Sequence, residues 1–248
     1  MVAKSPRIKM LAVYYAALLL WLSTTAMHIP DGYLSPVTSL IMFLLVFPFW
    51  VIGVRKIRLT MNSRSVPLIA LLAAFSFIIM MFNIPLPGGT TGHAVGASLA
   101  AIILGPEVAT IAVSIALIIQ AFFFGDGGIL AIGANCFNMA VIIPYIASAV
   151  YHTLSNDSSL TSRRRLIGAG IGGWMGVTIG ALFAGIEFGI QPLLEKSPTG
   201  QPLYSPFPLS VAVPAMALEH LFLFGIVEAV VTALVIKYFQ KNDPEMLG

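Results

Sequence analysis

Four histidines and a single cysteine carry most of the metal chemistry open to this 248-residue chain. One cysteine, Cys136, excludes an internal disulfide and a multi-cysteine metal cluster. His28 stands in the run Met27-His28-Ile29-Pro30-Asp31-Gly32-Tyr33. With Met27 as the first residue of a processed chain, three nitrogens converge: the Met27 α-amine, the His28 backbone amide nitrogen and the His28 imidazole. An α-amine with a pKa of about 7.7–8.0 yields its proton to a metal near neutrality. The three nitrogens close one five-membered and one six-membered chelate ring. Ni²⁺ or Cu²⁺ can displace the amide proton, and nitrogen ligands in a square plane suit these ions. A histidine at the second position leaves one corner of that plane empty.

The fourth ligand has to come from elsewhere in the chain. His152 lies beside the basic run Arg163-Arg164-Arg165, and His220 lies within the last apolar span. His93 closes the loop Pro85-Leu86-Pro87-Gly88-Gly89-Thr90-Thr91-Gly92-His93, whose glycines allow tight turns and close approach of a ligand. His93 is the expected fourth nitrogen, against the plainer reading of a surface loop histidine. His220, an ionisable group inside a span, is a candidate for a supporting or release role, or else a hydrogen-bonded residue of the bundle.

The segments that must position these residues are strongly apolar: 58% of the chain is hydrophobic, 9% is charged and the mean hydropathy is +0.94. That composition excludes a disordered chain, a basic nucleic-acid binder and a water-soluble enzyme. Apolar runs near the length needed for about 30 Å of hydrocarbon occupy 36–54, 66–82, 107–124, 136–152, 166–188 and 211–236. A shorter run, 94–104, ends at the turn Gly105-Pro106-Glu107. Positive residues stay cytoplasmic; by that rule 12 of the 13 basic residues fall inside, and Lys196 falls outside. Parity between the outer loop 83–93 and the inner loop 153–165 then makes 94–104 a short crossing helix, buried in the bundle. The expected fold is all-α: seven transmembrane helices over 27–242, beginning outside, with a cytoplasmic tail at 243–248.

Residues 1–26 read differently. Lys4, Arg7 and Lys9 precede 13 apolar residues from Met10 to Leu22, and Thr24 and Ala26 place small side chains three residues and one residue before a cleavage point. This is the pattern of a signal peptide; an uncleaved anchor helix is the alternative. Cleavage after Ala26 exposes the Met27 amine. Pro30-Asp31-Gly32 has turn chemistry, so the first residues extend as a short plug. Loss of the amide proton lowers the charge of a bound dication complex from +2 to about +1, which costs less to bury. Asp31, Asp126 and Glu187 are the acidic candidates to offset it.

Met27-His28-Ile29-Pro30-Asp31-Gly32, the glycine-rich loop ending at His93, and Gly125-Asp126-Gly127-Gly128 running to Gly133-Ala134-Asn135 resemble the CbiM/NikM family. These are substrate-binding membrane components of energy-coupling-factor transporters for cobalt and nickel. The resemblance runs from residue 27 to about 240. It implies a cleaved leader, Met27, His28 and His93 as ligands to Ni²⁺ or Co²⁺ as transported substrate, Asn135 among the supporting residues, and no organic cofactor. It also implies two cytoplasmic ATPase subunits, a transmembrane coupling subunit and, in some systems, a small accessory membrane subunit. Ala70-x-x-x-Ala74 matches the small-residue motif that relatives present to the coupling subunit. Asp126 stands where cobalt-labelled relatives frequently carry histidine, so nickel and cobalt both remain open. No Gly-Lys pair occurs in the chain, hence no phosphate-binding loop. Two other readings compete: an organic-solute binder on the same bundle, and an intramembrane metalloenzyme. The second lacks the His-Glu-x-x-His spacing of a metalloprotease.

Overall fold

The computed structural model describes residues 27–60, 65–86 and 90–247. The predicted leader, 1–26, and residues 87–89 of the glycine loop lie outside the described residues. Seven helices of eight or more residues occur among those described: α1 (Pro36–Thr60), α2 (Ser65–Met80), α3 (Ala97–Leu104), α4 (Pro106–Phe124), α5 (Ile132–Ser155), α6 (Arg163–Leu194) and α7 (Leu209–Asn242). Five of them, α1 and α4 to α7, are long and apolar enough to cross a membrane. The 16 residues of α2 rise about 24 Å and the eight of α3 about 12 Å, short of about 30 Å of hydrocarbon. The expected number of helices is therefore present, while length and composition qualify five as spans.

α6 is the central strut. Gly168, Gly172, Gly176 and Gly180 turn one face of it onto α5: a Cβ on Gly172 would lie 2.7 Å from the Ala147 carbonyl oxygen, and one on Gly176 would lie 3.0 Å from that of Ile143. The i+4 glycine stripe thus serves packing within the chain, as small residues do where helix backbones approach closely. Gly189 and Gly173 bring the same helix against Leu209 and Glu228 of α7. At one end, Arg165 Nη1 donates to the Tyr151 hydroxyl at 3.1 Å and to the Leu247 carbonyl at 2.6 Å. Gln240 Nε2 donates to the carbonyls of Leu160 and Ser162 at 2.8 and 3.0 Å. The predicted tail is thereby drawn in: Pro244–Leu247 forms a 3₁₀ turn with Leu247 buried.

Between α2 and α3 a two-stranded antiparallel hairpin, β1 (Ile84–Leu86) with β2 (Thr90–Gly92), leads into an irregular segment. Every residue from 91 to 100 is buried. Non-helical backbone is tolerated at such depth only where protein groups satisfy its polar atoms. Three of the long helices contain π-helical turns, at Gln120–Phe124, Cys136–Ile142 and His220–Phe224. A π turn adds a residue to the helix and re-aims the side chains around it.

Candidate metal centre

The segment following the predicted cleavage point is threaded into the bundle. Met27 and Ile29 are fully buried and belong to the main hydrophobic core, and His28 is 3% exposed. Asn135 on α5 grips the Ile29 backbone at both polar atoms: its Oδ1 accepts from Ile29 N at 2.7 Å and its Nδ2 donates to Ile29 O at 3.1 Å. Gly128 N adds a second donor to that carbonyl at 2.8 Å. The Asp31 carboxylate accepts from the backbone of Ile129 and Leu130 at 3.0 and 2.9 Å, which fixes the Pro-Asp-Gly turn. This wrapping needs glycine. A Cβ at Gly128 would lie 2.4 Å from Asp31 N, and Gly127, at φ +87°, would carry one 2.9 Å from Asn135 Nδ2 and 3.5 Å from the His28 ring.

His93 arrives from the opposite side on the buried segment after β2. Glu228 of α7 holds that segment: its carboxylate accepts from Val95 N at 2.8 Å, Gly96 N at 2.9 Å and Ser98 N at 3.4 Å. These N–H groups precede and open α3, where helix donors lack intrahelical partners and a negative charge is favourable. Gly96 takes φ +73° beneath the Phe75 ring, and the Phe224 ring lies where a Cβ of Gly92 would stand.

The two imidazoles meet. His28 Nδ1 and His93 Nε2 are 2.9 Å apart, with ring centroids at 4.6 Å. For metal–nitrogen bonds of about 2.0 Å, adjacent corners of a square plane are about 2.8 Å apart and opposite corners about 4 Å. The observed 2.9 Å is a hydrogen-bond distance between the two rings and equals the spacing of two adjacent corners of such a plane. His93 Nδ1 stands 3.0 Å from the Ala94 carbonyl, which can only accept, so this nitrogen bears the proton and Nε2 presents its lone pair. Burial pushes the His28 imidazole down to about 4, opposed in part by the neighbouring Gln120 side chain. Burial, followed by the neighbouring His28, pushes His93 down to about 3. Both rings are therefore neutral at pH 7, the form that binds a metal. Asp126 Oδ1 comes within 3.6 Å of His28 Nδ1. Burial raises its carboxyl, and the neighbouring His93 ring lowers it by less.

The other expected residues sit as follows. Asp31 is exposed and its carboxylate is taken up by backbone donors, so it anchors the turn rather than facing the rings. Glu187 accepts from Asn138 Nδ2 at 2.9 Å inside a polar cluster with Gln191 and Thr38, between α5, α6 and α1. His220 lies in the π turn of α7, its Nδ1 against the Met216 carbonyl at 2.8 Å and its ring 5.3 Å from that of Phe224. His152 is exposed near the end of α5, edge-on to Tyr151. Ala70 and Ala74 are exposed on α2 and line an apolar groove of about 670 Å³ with Ile111, Ile115 and Phe124 of α4. Glu228 and Gln120 are not singled out by any motif; each is a polar residue inside an otherwise apolar helix, and that contrast is the signal by which a scan of the spans finds them.

Residues 28–246 match the family described as the cobalt uptake substrate-specific transmembrane region, CbiM. The chain is 54% identical over 222 residues to the fused nickel transport protein NikMN of Rhodobacter capsulatus, covering 90% of this chain and 64% of that relative. It is 32% identical over 165 residues to the cobalt transport protein CbiM of Chlorobium limicola, covering 66% of this chain and 65% of that protein. The crystal structure of a truncated transition metal transporter superposes with a TM-score of 0.81 at 47% identity, covering 86% of this chain and 98% of that one. A profile match over nearly the whole described chain, joined to the same backbone at this level of identity, means that the chain belongs to the CbiM family.

Proposed function

We propose that this chain captures Ni²⁺ or Co²⁺ as the substrate-binding membrane subunit of an energy-coupling-factor transporter. The cation is the transported substrate. It is held by four nitrogens: the Met27 α-amine freed by removal of residues 1–26, the His28 amide nitrogen, His28 Nδ1 and His93 Nε2. The single observation that carries this reading is the 2.9 Å separation of the two imidazole nitrogens, the cis spacing of a square plane, at the point where the N-terminal segment is buried. The relatives named for nickel and cobalt transport support the substrate class. Affinity order and square-planar preference favour nickel of the two.

The electrostatics support the same assignment. Displacement of the His28 amide proton leaves the bound dication with a net charge of +1, and the Asp126 carboxylate nearby brings the sum to zero. A neutral assembly is far cheaper to keep away from water than an isolated charge. The chain carries no phosphate-binding loop, so the energy for uphill movement is assigned to two cytoplasmic ATPase subunits acting through a transmembrane coupling subunit, with a small accessory membrane subunit where one is present. The exposed Ala70 and Ala74 on α2 are the proposed docking points for the coupling subunit, since small residues let helices approach closely. The mature N-terminus faces outward and the end of the bundle bearing Arg163 to Arg165 faces the cytoplasm, following the distribution of positive charge.

N-terminal sequencing of the purified protein, combined with Ni²⁺ titration, tests the reading. The expected result is a chain beginning at Met27 that binds one Ni²⁺ tightly. Equally tight binding by a chain still beginning at Met1 would overturn it.

A further inference from the structure

We propose that Gln120 is the positioning residue that holds His28 in its metal-binding tautomer, by accepting a hydrogen bond from Nε2–H. This inference rests on the metal site proposed above and assigns a role to a residue outside the ligand set.

The protons of the two-ring contact can be counted. His93 Nδ1 gives its hydrogen to the Ala94 carbonyl, so His93 Nε2 is a bare acceptor. The 2.9 Å contact between His93 Nε2 and His28 Nδ1 then requires the hydrogen to sit on His28 Nδ1. In that tautomer His28 Nε2 is a lone pair, and it is buried without a hydrogen-bond partner. Gln120 is fully buried in the π turn of α4, and its Nε2 donates to the Phe77 carbonyl at 3.4 Å. That contact orients the amide and leaves Gln120 Oε1, also buried, without a donor. The Gln120 carbonyl accepts from Asp126 N at 3.1 Å and Asp126 Oδ1 lies 3.6 Å from His28 Nδ1, so the π turn stands beside the His28 ring, where the Gln120 side chain favours a proton. Two buried acceptors therefore await one hydrogen between them.

Metal binding supplies it. Coordination at His28 Nδ1 requires that nitrogen to give up its hydrogen. The neutral ring keeps one proton, which moves to Nε2 by exchange with water, and the ring charge does not change. Nε2–H then donates to Gln120 Oε1, and both orphaned atoms are satisfied in one step. The same bond locks the ring orientation and makes Nδ1 a stronger donor, as the outer hydrogen bonds of metal-bound histidines do. In the metal-free chain the two rings hold one another through His28 Nδ1–H; in the loaded chain the metal takes that place and Gln120 takes the displaced hydrogen.

The test uses the full chain with its Met27 amine free and Ni²⁺ as probe, comparing wild type with Gln120→Leu and Gln120→Glu. Leucine is expected to weaken Ni²⁺ binding roughly 10- to 100-fold and to move the ligand-field absorption of the bound ion to lower energy. Glutamate, the stronger acceptor, is expected to restore affinity and to move the band above the wild-type energy. Square-planar Ni²⁺ is diamagnetic, so ¹⁵N spectra of the loaded wild-type protein provide a readout that needs no variant. The His28 Nε2 resonance is expected to be that of a protonated, hydrogen-bonded nitrogen. A bare Nε2 in the loaded protein, or a Gln120→Leu variant with wild-type affinity and band energy, would overturn the role of Gln120 alone. Failure of the processed wild type to bind Ni²⁺ would overturn both this inference and the metal site.

Discussion

Asn135 treats Ile29 as one β-strand treats another, accepting from its N–H at 2.7 Å and donating to its carbonyl at 3.1 Å across 106 residues of sequence. The residue gripped is the one directly after His28. The depth and direction of the N-terminal segment, and with them the position of the His28 ring, are thus set from α5.

Asn135→Ala leaves the Ile29 N–H buried without its acceptor, while the Ile29 carbonyl keeps Gly128 N. An unsatisfied buried donor costs roughly 1–3 kcal/mol. The cost falls on the docked N-terminus, so Ni²⁺ affinity is expected to drop about 5- to 150-fold. Asn135→Asp keeps the acceptor and is expected to lose less. Isothermal titration of both variants checks the order, and equal losses would contradict it.

The ligand assignment predicts a sharp division among the histidines. His28→Ala and His93→Ala each remove one corner of the plane and are expected to abolish tight Ni²⁺ binding. His152→Ala changes an exposed side chain near the end of α5 and is expected to leave the affinity within about twofold, in line with ordinary surface substitutions. Equilibrium dialysis with radioactive nickel distinguishes the three, and a comparable loss in all of them would reject the assignment.

Much of the proposed site is read from the amino-acid sequence because its chemistry is concentrated in consecutive residues. With a free Met27 amine, the spacing of Met27 and His28 would set two chelate rings locally, and the glycines around Gly92 and Gly127 advertise close backbone approach. The stripe from Gly168 to Gly180 likewise announces helix packing, since four small residues at i+4 spacing share one face. What stays hidden is what acts at a distance. Glu228 caps a segment more than 130 residues earlier, and nothing in the pattern of α7 says which backbone its carboxylate meets. Gln120, the proposed partner of His28, sits in a π turn, which shifts side chains off the 3.6-residue register on which any sequence reading of the apolar run at 107–124 depends. The extent of α3 is hidden for a related reason: the apolar residues 94–96 are buried as irregular chain, with the N–H groups of Val95 and Gly96 satisfied by Glu228 of another helix.

That capping makes a separate prediction for Glu228→Gln. The carboxylate faces three N–H donors, whereas a glutamine offers one oxygen and turns an amide hydrogen toward the others. Hydrogen bonds to a charged group are worth about 1.5–3 kcal/mol each. The variant is expected to lose about 2–3 kcal/mol of stability, roughly 4–12 °C in Tm for a chain of this length, and to bind Ni²⁺ more weakly because the His93 segment is displaced. Thermal unfolding in detergent, with and without Ni²⁺, checks both. An unchanged Tm would show that the carboxylate does not hold α3.

The buried ring pair also fixes how stability responds to acid. His28 and His93 take up protons near 6.5 when exposed, but only near 4 and 3 when folded. The unfolded chain therefore binds more protons than the folded one below pH 6.5, and stability falls as pH falls. The contribution is complete above 6.5 and is lost progressively toward 4. Asp126 works in the opposite sense, because its folded carboxyl lies above the ordinary value of 3.8; it favours the folded state as pH drops toward the carboxylate range. The contribution of the pair is read between pH 6.5 and 5, above the range where Asp126 titrates in the unfolded chain. The metal-free protein is expected to melt at lower temperature across that window, and His93→Phe, which removes one titrating ring of the pair, is expected to make the slope shallower. Differential scanning at half-unit pH steps measures it; a slope unchanged by His93→Phe would place the acid sensitivity elsewhere in the bundle.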